Sequence, residues 1–210
     1  MKKVDYVDPN HNDLRVPVQP EDRVLAIAYA NKMLTPQKKA LYAARGQHNP
    51  EVIHGQYYYS QLGELAVASA FGGWNCTPPT GFVPGKSDYK PDHECFPGGQ
   101  KKFLHTKTQT FKSSLGNGTA WLVGYGPGKD THFYQFPADD YVVLCSIAED
   151  ESAVLLRAVL ALTTIRDCAL LTEKGVAPYL LHSKRSIRLS MIDEMGIPRF
   201  DPVLFPKVEM

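Results

Sequence analysis

The sequence has no excess of charge of either sign, because 23 lysines and arginines stand against 22 aspartates and glutamates. This balance gives no global argument for a nucleic-acid partner, although a basic patch can still occur on a neutral protein. The four cysteines are far apart and form no C-x-x-C pair. Their spacing argues against a zinc site built from cysteine and favours buried thiols in a reducing compartment.

Long apolar runs are also missing. The longest, around residues 153–162, is interrupted by Arg157, so we expect no segment that crosses a bilayer and no membrane partner. The residues after Met1 are polar and contain prolines, so a secretory signal is not expected either. These two observations together lead us to expect a cytoplasmic protein.

What the sequence does contain is enough apolar material for one core, with 43% hydrophobic residues in a chain of 210. We expect residues 1–20 to form an irregular arm and residues 21–210 to form a single domain. Helical spacing of apolar residues predicts helices over 21–34, 36–45 and 51–71. Branched and aromatic residues predict strands of one sheet over 119–125, 141–147 and 153–164. The expected fold class is therefore α/β (α+β), a mixed central sheet flanked by helices and preceded by an N-terminal helical segment.

A predicted hairpin over residues 91–109 carries most of the chemistry. A Pro-Gly-Gly break at 97–99 separates two short extended runs. Since alternate residues of a strand share a face, each arm gathers polar side chains on one side. These are Asp92 and Glu94 on the first arm, and His105, Lys107 and Gln109 on the second.

Such a set of side chains suits the cleavage of a phosphodiester. That reaction requires groups that neutralise the charge of the phosphate, activate a water molecule for attack and stabilise the leaving oxygen. Mg²⁺ held by two or three carboxylates, with a lysine beside it, serves these purposes. Asp92 and Glu94 offer carboxylate oxygens, and Lys107 offers an ammonium group. Glu64 is a further candidate, since it is an acid in a small, apolar helical stretch and must lie at its margin or face a polar site. The alternative is a Glu64 that faces solvent.

The order of these motifs resembles the PD-(D/E)xK nuclease superfamily, with its restriction-endonuclease-like fold, over residues 51–147. The matching features are G-E-x-A on a helix, then P-D, a hairpin, and a strand ending in x-x-K. By this resemblance Glu64 is the helix glutamate, Asp92 the aspartate and Lys107 the lysine. Gln109 is similar to a glutamine found in several branches, where it orients water or a phosphate oxygen.

The resemblance implies a nuclease that uses Mg²⁺ or Mn²⁺ to cleave nucleic acid, DNA rather than RNA. Glu64 and Asp92 would hold metal, with Lys107 and Gln109 acting beside them. His105, however, stands where the family has an acid. Three outcomes are open: His105 binds a transition metal, Glu94 replaces the acid, or the site does not cut. In the last case the fold would serve as a module that binds nucleic acid or protein. A small interaction protein with a purely structural hairpin is the third hypothesis.

Several basic residues are candidate phosphate contacts, although solvated lysines and a charged edge strand are the alternatives. They are Lys101, Lys102 and Lys112 near the hairpin, and Lys184, Arg185 and Arg188 further along the chain. The tyrosines at 57–59 are either base-stacking groups or core residues. Nucleases that cut both strands are commonly two-fold dimers, so a homodimer is a further expectation, although no apolar stripe marks an interface.

Overall fold

Three helices follow the first two strands of the chain. The computed structural model describes residues 5–6, 13–44, 46–71, 92–96, 99–113, 119–124, 140–174, 176–181, 184–201 and 204. Its first three helices are α1 Pro20–Met33, α2 Pro36–Ala43 and α3 Pro50–Ala70. Each begins with a proline, which lacks the N–H that a first turn would leave unbonded. Thr35 caps α2 by accepting from the Lys38 amide, and Asn49 caps α3 by accepting from the Glu51 amide.

The central sheet has six strands in the order β1-β2-β7-β6-β4-β3. Strands β4 and β6 are parallel, and the other neighbours are antiparallel. Two short helices, α4 Leu162–Asp167 and α5 Leu189–Glu194, complete the described elements together with a 3-10 turn at Pro178–Leu180. The strands are β1 Asp5–Tyr6, β2 Leu14–Pro17, β3 His93–Cys95, β4 Lys102–Gln109, β5 Ala120–Gly124, β6 Tyr141–Ile147, β7 Ala153–Ala161 and β8 Lys184–Arg188.

Strand β6 is buried along its whole length because both faces of the sheet are covered. On one face, Leu62 and Val67 of α3 pack with Leu104 and Val143. On the other face, a two-stranded ribbon of β5 and β8 contributes Trp121 and Ile187 to a second apolar cluster. The predicted α/β class, with a mixed sheet flanked by helices, is confirmed.

The prediction that residues 119–125 join the central sheet is wrong, because β5 pairs with β8 instead. Trp121 and Val123 are buried while Leu122 is 43% exposed. One buried face suits a ribbon laid across a sheet, whereas a central strand would be covered on both sides. The Trp121 indole donates to the Cys145 carbonyl of β6 over 2.7 Å and ties the ribbon to the sheet. The predicted strand over 153–164 also ends early, since α4 begins at Leu162.

The N-terminal arm is not wholly irregular, because β2 pairs antiparallel with β7. Leu14 and Val16 alternate with less buried neighbours, which is the period of a strand packed on one face. Asp13 is buried and forms ion pairs with Arg157 of β7 and with Arg199 near the other end of the described chain. Removing one member of such a buried network leaves charges without a counterion, so Asp13 fixes the arm to the domain.

Two of the three described cysteines are the buried free thiols that the sequence predicts. Cys95 and Cys145 are buried and lie in no disulfide, and burial raises the pKa of the Cys145 thiol well above its ordinary value. Cys168 is half-buried, and Cys76 lies outside the described residues.

Among the described helices, none combines the length and apolarity needed to cross a membrane.

Candidate active site

The predicted hairpin is present as β3 and β4, which pair antiparallel with His93 opposite Leu104 and Cys95 opposite Lys102. In the turn between them Gly99 has φ +81°, a conformation that glycine adopts without strain. Pro91, Pro97 and Gly98 lie outside the described residues. Since Glu94 faces Phe103 across the pair, the strand period places it on the same side of the sheet as His105 and Lys107. The shared face that the sequence predicts is therefore confirmed.

Asp92 sits where the hairpin opens. Strand pairing ends at His93, and the next amide on that edge of β4, Thr106 N–H, donates to Asp92 Oδ2 over 2.6 Å. The Asp92 carboxylate thus accepts a hydrogen bond that a backbone carbonyl of a neighbouring strand would otherwise accept. A short bond from an amide to a charged oxygen is among the stronger hydrogen bonds in proteins. It fixes Asp92 beside the residue that precedes Lys107.

Helix α3 approaches the same part of β4 closely through Gly63. A β-carbon built at this position would lie 3.1 Å from Thr108 Cβ and even closer to its hydroxyl oxygen. Glycine is therefore the residue that allows the helix to lie against the strand. The next residue on α3 is Glu64, so the close approach brings an acid toward the end of the hairpin.

Glu64 lies within electrostatic range of both Asp92 and Lys107. Burial and the negative charge of Asp92 raise the pKa of Glu64 to about 8, while a hydrogen bond from Ser60 and the positive charge of Lys107 oppose that rise. The Ser60 hydroxyl is 3.5 Å from Glu64 Oε1. The side chain is partly buried rather than turned to solvent. Glu64 thus interacts electrostatically with the two residues that the resemblance aligned with the family's aspartate and lysine.

Tyr29 of α1 reaches the same place, and sequence reasoning missed it. Burial, then the charges of Glu64 and Asp92, raise the pKa of the Tyr29 phenol to about 12. Its neighbours Ala26, Ala30 and Met33 are the buried positions of α1. Helical spacing therefore signals that Tyr29 faces the protein, but it does not say which residues of α3 it meets.

His105 is buried and paired with an acid from the neighbouring strand. Its Nε2 lies 3.3 Å from Asp140 Oδ2, and the two side chains are 1% and 3% exposed. Asp140 immediately precedes β6, which runs parallel to β4 and places Val142 beside His105. The sequence does show an aspartate directly before an apolar strand, which marks Asp140 as a candidate polar residue. That Asp140 pairs with His105 follows only from the parallel pairing of β4 with β6.

Two other candidate residues make different contacts. Glu94 is 42% exposed and forms an ion pair of 2.9 Å with Lys101, whose ammonium also lies 4.9 Å from the centre of the Phe103 ring. Gln109 is buried, and its Oε1 accepts from the Ala120 amide over 3.2 Å. Gln109 therefore joins the end of β4 to the start of β5.

The remaining basic candidates are spread over the structure. Lys102 is half-buried on β4, and Lys112 is exposed in the helical turn at 111–113. Residues 184–188 form β8, a strand as the charged-strand alternative predicts, but Ser186 and Ile187 are buried rather than exposed. Within it Arg185 forms an ion pair of 2.7 Å with Glu173, and Arg188 lies on the same short strand.

The acids that converge fit a hard divalent cation. Glu64 and Asp92 offer carboxylate oxygens, and Mg²⁺ is commonly held by one or two carboxylates, with water and substrate phosphate completing its coordination. The raised pKa of Glu64 shows that Asp92 disfavours a second negative charge there, a conflict that a cation would relieve. Within the described part of the chain, no group of three or more His, Cys, Asp or Glu residues is arranged to hold a metal ion.

The raised pKa of Glu64 predicts a loss of stability with rising pH in metal-free protein. Between the ordinary value of 4.5 and about 8, unfolded chains release a proton that folded chains retain. The free energy of unfolding therefore falls across this window. Glu64→Gln removes the ionisable group and is expected to gain about 1–2 kcal/mol over wild type between pH 5 and pH 8.

Urea denaturation with EDTA at pH 5, 6, 7 and 8 measures this difference. Glu51→Gln, on the exposed first turn of the same helix, serves as the matched control. Parallel pH profiles for wild type and Glu64→Gln would show that Glu64 ionises in the folded protein as it does in solvent.

No protein-family model, curated protein or solved structure matches the chain. The chemistry of Glu64, Asp92 and Lys107 therefore has to be inferred from their geometry and from the sequence motifs.

Proposed function

We propose that this protein is a divalent-metal-dependent nuclease that hydrolyses phosphodiester bonds of DNA. The observation that carries the proposal is the electrostatic interaction of Glu64 of α3 with Asp92 and Lys107 of the hairpin. Two of them belong to the hairpin region and one to a helix, and an isolated structural hairpin has no need of a partly buried helix acid. The PD-(D/E)xK resemblance supports the same assignment, with Mg²⁺ or Mn²⁺ as cofactor.

Each residue has a defined task in this proposal. Glu64 and Asp92 would hold the cation, which when bound neutralises phosphate charge and makes a water more acidic. Asp92 is oriented for this because Thr106 N–H occupies its Oδ2. Lys107 places positive charge near the phosphate, where charge develops as the reaction proceeds. Water attacks phosphorus, one P–O bond breaks, and the departing oxygen ends with a proton.

The structure also carries an argument for the second candidate, a module that binds nucleic acid without cutting it. His105 replaces the acid of the family motif and pairs with Asp140, while Glu94 pairs with Lys101 at the surface. The two residues that could replace that acid, His105 and Glu94, are therefore each paired with another charged residue. A protein of this kind would bind the same DNA and leave it intact.

Incubating the protein with plasmid and with linear DNA in Mg²⁺, Mn²⁺ or EDTA separates these functions. We expect metal-dependent cleavage by wild type and a loss of roughly 100-fold or more in Lys107→Ala, because an ammonium near the transition-state charge is removed. Lys39→Ala, at an exposed position of α2, controls for the loss of a positive charge.

Cleavage that persists equally in Lys107→Ala would identify a contaminating nuclease. DNA binding without cleavage under either metal would favour the binding module. Absence of both would support the hypothesis of a small interaction protein.

A further inference from the structure

Three helices contribute tyrosine rings to one cluster, which contains Tyr29. The Tyr29 ring of α1 meets the Tyr57 ring of α3 edge-on, with centroids 6.3 Å apart and an angle of 75°. The Tyr42 ring of α2 meets Tyr57 in the same way, at 6.0 Å and 87°. Edge-to-face pairs of this kind contribute roughly 0.5–1.5 kcal/mol each beyond the burial of their area. The contacts therefore fix the direction in which Tyr29 points.

The position of Tyr57 on α3 relates this cluster to Glu64. Seven residues separate them, which is close to two helical turns, so they lie on one side of the helix. Side chains of a helix lean toward its N-terminus, and Glu64 does so toward Ser60, between the two turns. Tyr29 accordingly lies beside the row formed by Tyr57, Ser60 and Glu64.

The Tyr29 phenol also interacts electrostatically with Asp92, so it lies within electrostatic range of both carboxylates of the site. A phenol is a neutral donor. It can approach a phosphate oxygen without the charge repulsion that a carboxylate would exert. Lys107 and Tyr29 are thus two donors within electrostatic range of Glu64.

We propose that Tyr29 is a substrate-binding residue whose hydroxyl donates a hydrogen bond to a non-bridging oxygen of the DNA phosphate held at Glu64, Asp92 and Lys107. This inference rests on the proposed nuclease function. Because the bond is made to the bound phosphate before reaction as well as during it, its loss weakens substrate binding more than it slows the chemical step.

The test compares Tyr29→Phe with Tyr58→Phe, since both remove one hydroxyl and keep the ring. Tyr58 is the neighbour of Tyr57, but its hydroxyl accepts from Arg23, which is paired with Glu151 rather than with a residue of the site, so its loss is not expected to change activity. With a fluorescein-labelled DNA oligonucleotide and Mg²⁺, Tyr29→Phe should raise KM roughly 10-fold and change kcat by less than about 3-fold.

Binding measured by fluorescence anisotropy in a Lys107→Ala background provides a second readout. Tyr29→Phe should weaken affinity roughly 10-fold for the natural oligonucleotide and much less for one with phosphorothioate linkages, because sulfur is a poorer acceptor. A purely structural role for Tyr29 would make the two losses equal.

The outcomes distinguish this inference from the function on which it rests. If wild type cleaves DNA but Tyr29→Phe has wild-type KM and affinity, the inference is overturned and the nuclease function stands. If wild type does not cleave but Tyr29→Phe still weakens binding selectively, the nuclease function fails and the phosphate contact stands. If no variant binds DNA, both are overturned.

Discussion

Asp92→Asn is expected to reduce metal-dependent DNA cleavage by at least about 100-fold while the protein remains folded. The amide oxygen of asparagine can still accept from Thr106 N–H, so the hydrogen bond that closes the open edge of β4 is retained. What is lost is the negative charge. The site keeps its shape and loses one of the two carboxylates that would hold the cation.

Initial rates with Mg²⁺ and with Mn²⁺, together with a thermal unfolding curve, measure the effect. Asp167→Asn removes a charge at the exposed end of α4 and should keep full activity.

In EDTA a second result is expected, because the charge of Asp92 helps to raise the pKa of Glu64. Asp92→Asn should lower that pKa and weaken the decline in stability between pH 5 and pH 8. Wild-type cleavage by Asp92→Asn would remove this carboxylate from the proposed mechanism.

Features that depend on neighbouring residues were predictable from the sequence. Proline at the start of each helix marks the beginnings of α1, α2 and α3 to within a residue. The Pro-Gly-Gly break and the strand period gave the hairpin and the shared face of Glu94 and Lys107. These signals are local because backbone geometry and side-chain period act over a few residues.

Features that depend on distant strand pairs were not predictable in this way. Residues 119–125 have the composition of a strand in any sheet, and only the pairing of β5 with β8 decides which sheet they join. The contact between His105 and Asp140 likewise requires β4 to lie parallel to β6. Neither pairing can be predicted from the residues of either segment alone.

The candidate site falls between these cases. Short motifs predicted Glu64, Asp92 and Lys107 as candidate site residues. The motifs could not predict that α3 packs closely against the hairpin strand that carries Lys107. Tyr29 was missed because its partners lie on α3 and β3, far away in sequence. The close approach of α3 depends on a single small residue, which gives a direct way to disturb the site.

Gly63→Ala is expected to destabilise the protein by about 2–3 kcal/mol and to reduce cleavage roughly 100-fold. The added methyl group would collide with the Thr108 hydroxyl and lie 3.1 Å from its β-carbon, so α3 must move away from β4. This outcome opposes intrinsic preference, because alanine favours a helix over glycine by about 1 kcal/mol. Displacing α3 also shifts Glu64 relative to Asp92 and Lys107, and misplacement of about 1 Å is sufficient for a loss of that size.

Gly55→Ala on the same helix separates the collision from the change in helix preference. A β-carbon there would meet Tyr59 at 3.8 Å, an ordinary contact, so this variant should be as stable as wild type or slightly more stable. Thr108→Ala should restore part of the stability and activity of Gly63→Ala, since it removes the hydroxyl but leaves the close β-carbon. Urea denaturation and cleavage rates of the single and double variants give the coupling between the two positions. Equal stability of Gly63→Ala and Gly55→Ala would mean that α3 does not press against β4 at Gly63, and the position of Glu64 would then need another explanation.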